Sequence, residues 1–171
     1  LSDTFIKVVY SRNLNNAKKL ASEVQSPIAT DQLEKLRSIE NIHLIIVAVS
    51  IEATYKIIKK ISDMGIPILV EKPLGLNLEE CMLITKLTNS ISGKVLVALN
   101  RRCYSSTLKA LEYLRNDHEP RLIEIFDQQD RLSIKDPNFH PNVIKNWMFA
   151  NSIHLIDYAF IFGRGKLKET N

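Results

Sequence analysis

The sequence predicts an α/β protein built on a doubly wound parallel sheet, followed by the start of a second α/β region. Three observations predict it. Up to Arg102, short β-branched runs alternate with segments whose apolar residues recur at helical spacing. Each such run ends in polar residues: Ser11 and Arg12, then Ser50, then Glu71 and Lys72, then Asn100, Arg101 and Arg102. After Arg102 the regular alternation gives way to two helices separated by a strand-like stretch and proline-broken loops. In an open parallel sheet the carboxyl ends of the strands lie along one edge, where ligands bind, so these stretches are expected to converge on one cleft.

The elements follow in order. Residues 5–10 read as a strand, and Asn13 is available to cap a helix whose stripe is Leu14, Ala17, Leu20, Ala21 and Val24, stopped by Pro27. Asp31, with Glu34 three residues on, suggests a capping box for a short helix carrying Leu33 and Leu36. Residues 44–49 are apolar on both faces, as in the middle of a parallel sheet. Ala53, Ile57, Ile58 and Ile61 form a helix stripe closed by Gly65. The run Ile66, Pro67, Ile68, Leu69, Val70 then delivers Glu71, Lys72 and Pro73 to a strand end, and Asn77 opens a helix with Glu79 and Glu80 in its first turn. Residues 94–99 make another strand. Beyond it, Ser105 or Ser106 is expected to cap a helix bearing Leu108, Leu111 and Leu114, broken at Glu119 and Pro120. Residues 122–129 resemble a strand continued by Asp130 and Arg131, and a loop passes Asp136, Pro137, His140 and Pro141. A last helix is expected from Asn151 to Phe162, with Gly163 as its stop.

Composition bounds the function. A formal charge of +4 over 171 residues, with Lys and Arg scattered among Glu and Asp, describes solvated faces and argues against a nucleic-acid partner. No apolar run approaches the ~20 residues of a membrane span, and the start lacks the basic-then-apolar order of a signal peptide, so the expected compartment is the cytoplasm. Cys81 and Cys103 lack metal-ligand spacing and read as reduced packing residues. Trp147, Met148 and Phe149 form an apolar cluster suited to a core or an interface.

Two stretches carry candidate chemistry. Pro73 fixes its own backbone and holds Lys72 extended, so the ammonium is aimed from a strand end; the bland alternative is a solvated turn. On the last helix Asn151, His154 and Asp157 share one face, with Ile153, Ile156 and Phe160 expected to pack inward. A His and an Asp one turn apart suit acid/base work, because the carboxylate can steady the imidazolium; the alternative is a capped core histidine.

With these residues in hand, the chain resembles the glucose-fructose oxidoreductase and inositol dehydrogenase family, Gfo/Idh/MocA. Ile66 through Leu78, with its Glu-Lys-Pro, is similar to the family's strand and following helix start. Asn100, Arg101 and Arg102 resemble its Asn-Arg-Arg element, and His154, Leu155, Ile156 and Asp157 its His-x-x-Asp helix. The resemblance implies a Rossmann-like domain at 1–102 and the start of a catalytic domain with an open antiparallel sheet at 103–171. It implies NAD or NADP as cofactor, a sugar, cyclitol or nucleotide-sugar substrate, and homo-oligomers of the intact parent. In that scheme Lys72 hydrogen-bonds the reacting hydroxyl and His154, with Asp157, takes its proton. Arg102 and Asn151 join Lys72 and His154 around the substrate. Ser11, Arg12, Val49, Ser50, Glu71, Lys72, Asn100 and Arg101 face the cofactor. Arg12, where an acidic residue would accept from the ribose of NAD, leans the choice to NADP; an exposed loop Arg is the alternative.

The resemblance also implies departures. No Gly-x-Gly-x-x-Gly occurs, and the first strand here matches the family's second, so the first β-α unit is missing from the pattern. Ser50 and Ile51 stand where Pro and Asn often follow the third strand, and Ala150 stands where an Asp is common four residues before the His. The alternative readings are a truncated non-catalytic relic that at most binds a nucleotide-sugar or partner, and a parent using bound NAD for redox-neutral sugar chemistry.

Overall fold

The structure, a computed structural model, describes residues 4–89, 94–129 and 139–163. The chain divides into two compact units, Leu1–Ile45 and Ile46–Asn171.

In the first unit, strand β1 (Val8–Tyr10) feeds helix α1 (Leu14–Glu23), which returns to strand β2 (Ile28–Thr30). The strands are parallel, with Val8 opposite Ile28 and Tyr10 opposite Thr30. Asn13 caps α1 through Oδ1, accepting from the amides of Asn15 at 2.9 Å and Asn16 at 3.3 Å. Ala17 and Ala21 pack with Val9, their small side chains letting the helix approach the sheet closely. Leu20, expected on that stripe, is 48% exposed instead. The helix ends before Pro27, at Gln25 (φ 56°), where the Ser26 amide reaches back to the Ala21 carbonyl at 2.8 Å and satisfies an end carbonyl. Strand β2 has no counterpart among the sequence expectations, because three residues after a proline carry too little alternation to register. A 3₁₀ turn, Leu33–Ser38, follows with Leu33 and Leu36 buried, but Gln32 precedes it without a side-chain cap. The expected Asp31 capping box is therefore corrected.

In the second unit the strand order is β3-β4-β5, with β3 at Ile45–Val47, β4 at Ile68–Glu71 and β5 at Val95–Ala98. Strands β4 and β5 run parallel, pairing Ile68 with Val95 and Glu71 with Ala98. The parallel α/β fold expected from the sequence is thus present. Strand β3 stands at an edge of its sheet, and Ile46 is 63% exposed, so only one face of that apolar run is covered among the described residues. Helix α2 (Ile51–Ile61) buries Ile58 and Ile61 and gives way to a 3₁₀ turn, Ser62–Met64. Gly65 closes that turn at φ 68°, a left-handed conformation that disfavours a side chain. Helix α3 (Leu78–Asn89) starts as expected: Asn77 Oδ1 accepts from the Glu80 amide at 2.9 Å, and Glu80 Oε2 accepts from the Leu76 amide at 2.8 Å.

After β5 the chain tightens into a 3₁₀ turn, Asn100–Cys103, and enters helix α4 (Ser105–Tyr113). Tyr104, not Ser105 or Ser106, precedes α4, with no side-chain cap; Thr107 is its buried residue and Leu108 is 54% exposed. Residues 122–129 form no strand: among the described residues no neighbour hydrogen-bonds alongside them, and Leu122 and Phe126 are 87% and 86% exposed. Asp130, Arg131, Asp136 and Pro137 lie outside the described residues. The expected loop at His140 and Pro141 instead opens helix α5 (Pro141–Lys145), with His140 Nδ1 accepting from the Asn142 amide and Pro141 in the first turn. A π-helical turn, Met148–Ser152, then leads into helix α6 (Ile153–Phe162). Its packing reverses the expectation: His154 and Asp157 are buried, whereas Ile156 and Phe160 are exposed. Cys103, read as a packing residue, is also exposed. Among the described residues no helix is long and apolar enough to cross a membrane, and no group of His, Cys, Asp and Glu is arranged to hold a metal ion.

Candidate active site

Strand β4 ends at Glu71, and Lys72 leaves it half-buried, followed by Pro73 through a cis peptide bond. The Lys72 amide donates to Glu71 Oε2 at 3.1 Å, and its ammonium donates to the Ala150 carbonyl at 2.6 Å. That carbonyl belongs to the π-helical turn, one turn before His154. The Ala150 side chain meanwhile packs with Leu76, Val143, Ile51 and Trp147. A neutral backbone carbonyl therefore holds the ammonium, contributed by the residue that departs from the family's common Asp. Burial pushes the Lys72 pKa below its ordinary value; Glu71 opposes that and Arg101 reinforces it.

His154 is 7% exposed, and its buried Nδ1 has no hydrogen-bond partner among the described residues. Burial lowers its pKa from the ordinary 6.5, Lys72 and Arg101 lower it further, and Glu71 and Asp157 oppose them. At neutral pH the imidazole is therefore uncharged, with one ring nitrogen free to receive a proton.

The Asp157 carboxylate accepts both arms of Arg102: Nε donates to Oδ2 at 2.7 Å and Nη2 to Oδ1. The next residue, Tyr158, meets Thr107 Oγ1 at 3.0 Å, and Thr107 donates to the Arg101 carbonyl at 2.8 Å. Asn151 donates to Gln129 Oε1 at 2.9 Å, and Trp147 Nε1 donates to the same oxygen. Gln129 Nε2 donates to Ser152 Oγ at 3.1 Å. Lys72, Glu71, Arg101, His154 and the Arg102–Asp157 pair thus form one neighbourhood, with Asn151 tied to its flank.

The other candidates sit at strand ends. Asn100 and Arg101 leave β5 on the same edge as Glu71 and Lys72 leave β4, because the two strands are parallel. Val49 and Ser50 link β3 to α2, and the Ser50 carbonyl accepts from the Ala53 amide at 2.8 Å. Ser11 and Arg12 belong to the first unit: the Ser11 amide donates to the Thr30 carbonyl at 3.1 Å, Ser11 Oγ accepts from the Asn13 amide, and Arg12 is exposed. Sequence reasoning missed Gln129, Thr107, Tyr158 and the Ala150 carbonyl. Only the buried polar identity of Thr107, after a basic pair, offered any signal.

A family model described as an oxidoreductase family with an NAD-binding Rossmann fold matches residues 2–99. No curated protein matches the sequence. Among solved structures, the WlbA dehydrogenase from Bordetella pertussis, in complex with NADH and UDP-GlcNAcA, is similar at 12% identity and TM-score 0.71, over 93% of this chain and 48% of its own. An oxidoreductase from Thermotoga maritima is similar at 20% identity and TM-score 0.69, over 92% of this chain and 50% of its own. Levoglucosan dehydrogenase, in complex with NADH and levoglucosan, is similar at 22% identity and TM-score 0.59, over 64% of this chain and 30% of its own. These likenesses establish the fold. The chain spans half or less of the length of each of these proteins.

Proposed function

The chain belongs to the Gfo/Idh/MocA oxidoreductase family, with its NAD-binding Rossmann fold matched over residues 2–99, and from that premise we propose that it serves an NAD(P)-dependent dehydrogenase acting on a hydroxyl of a sugar, cyclitol or nucleotide-sugar. The observation that carries this reading is the meeting of a strand-end ammonium with a buried, uncharged imidazole. Lys72 Nζ sits on the Ala150 carbonyl one turn ahead of His154 and bears electrostatically on it.

A bound nicotinamide supplies the hydride acceptor for the carbon that bears the hydroxyl. The chain's own residues handle the proton. Lys72 donates an N–H to the hydroxyl oxygen and favours its ionised form, and the uncharged His154 imidazole receives the proton as the O–H bond breaks. A base so placed is worth about 10²- to 10⁴-fold. The uncharged imidazole of His154 and the polar ends of two parallel strands suit such a ligand pair. In the second unit Val49, Ser50, Glu71, Lys72, Asn100 and Arg101 would face the cofactor; in the first unit Ser11 and Arg12 are the residues suited to an adenine ribose. Residues 1–102 are the cofactor domain in this reading and 103–171 open the substrate domain of a cytoplasmic homo-oligomer. The relatives bound to NADH with levoglucosan or UDP-GlcNAcA support the substrate class.

The full-length protein, given NAD or NADP and a panel of sugars, cyclitols and nucleotide-sugars, is expected to form reduced nicotinamide. Product change without net cofactor turnover would mark the redox-neutral reading instead. The alternative of a non-catalytic relic, which Ala150 in place of the family's common Asp favours, predicts neither.

A further inference from the structure

Asp157 is buried at 7% exposure, and a buried carboxylate is costly unless paired. Its partner is not His154, one turn back on the same face, but Arg102, from the 3₁₀ turn after β5, through a two-armed contact. The adjacent Tyr158 hydroxyl lies 3.0 Å from Thr107 Oγ1 and 3.4 Å from the Arg101 carbonyl. Two successive residues of α6 therefore grip two successive residues of the Asn100–Cys103 turn. His154 rides on the gripping helix, and Arg101, one of the cations bearing on His154, rides on the gripped turn.

We propose that Arg102 and Asp157 are positioning residues: their bidentate pair fixes α6 on the 3₁₀ turn and so sets where His154 and Arg101 stand about Lys72, while neither touches the substrate. This rests on reading Lys72 and His154 as the proton-handling pair, and it departs from placing Asp157 behind the imidazole or Arg102 on the substrate. The groups bearing on His154 are Lys72, Arg101, Glu71 and Asp157. A change that keeps every charge but breaks the fork therefore separates positioning from simple electrostatics, because Lys reproduces Arg's charge but not its planar, two-armed geometry.

The test needs neither cofactor nor turnover. The full-length protein carrying ¹⁵N-labelled histidine is titrated by NMR, with the His154 signal assigned from its loss in His154→Gln. Wild-type His154 is expected to titrate below the ordinary histidine range. In Arg102→Lys its midpoint should rise toward that range as the loosened helix lets water in, and amide exchange in residues 153–162 should quicken about tenfold. Should Arg102→Lys lose its fold, Asp157→Glu, which also preserves charge, is read the same way. An unchanged His154 midpoint with unchanged exchange would overturn the proposal. Absence of dehydrogenase activity in the full-length protein would overturn the functional reading and leave this measurement's outcome untouched.

Discussion

A cation beside a buried imidazole weakens the imidazole's hold on a proton, and His154 has two such neighbours, Lys72 and Arg101. Between the depressed folded value and the ordinary 6.5, the unfolded chain binds a proton that the folded chain refuses. The contribution of His154 to stability is therefore complete above the ordinary value and lost as pH falls toward the folded one. Urea midpoints measured from neutral pH downward should fall more steeply in the wild-type chain than in His154→Gln. Lys72→Met in the full-length protein should lower turnover about 10³-fold at saturating nucleotide, checked by steady-state rates beside a binding titration that fixes the occupancy. The places of Lys72 and His154 in the fold were legible because each stands at a strand end or helix start that the apolar pattern locates. The partner of Asp157 was not, since Arg102 lies 55 residues away and local spacing pointed to His154 instead.

Helix ends decide which of these elements hold their places. The half-buried Arg121 guanidinium donates to the Leu114 carbonyl at 2.8 Å and the Phe162 carbonyl at 3.0 Å, satisfying the ends of α4 and α6 together. Arg121→Met leaves both carbonyls without that donor and should cost about 2–4 kcal/mol in urea unfolding. Gly75 serves the loop after Lys72: a Cβ there would lie 2.8 Å from Glu80 Cβ and 3.2 Å from the Cys81 amide nitrogen. Gly75→Ala should therefore displace the start of α3, seen as faster amide exchange at Leu76 and Glu80, whose cap hydrogen bonds would part. The helices with a strong stripe or a side-chain cap, α1, α2 and α3, were legible in the sequence. The inward face of α6 was not: its apolar residues invited an inward reading, yet the cost of burying Asp157 is met by Arg102, and the polar face turns in. The π-helical turn had no local signal at all, because it shows only in which carbonyl Lys72 finds.

Over the whole molecule, the alternation of strand and helix made the parallel α/β class readable, and the match of residues 2–99 to the NAD-binding Rossmann fold bears it out. The stretch at 122–129 was misread for the complementary reason: apolar alternation marks a candidate strand, but a strand exists only where a neighbour accepts its hydrogen bonds. The account's central claim is that Lys72 and His154 handle the proton of a hydroxyl whose carbon yields a hydride to nicotinamide. Its most direct test is the rate of reduced nicotinamide formation by the full-length protein on its best sugar or nucleotide-sugar, wild type against Lys72→Met and His154→Gln at matched nucleotide occupancy. The account predicts a rate that falls by about two or more orders of magnitude in each variant. Undiminished rates in both would contradict it.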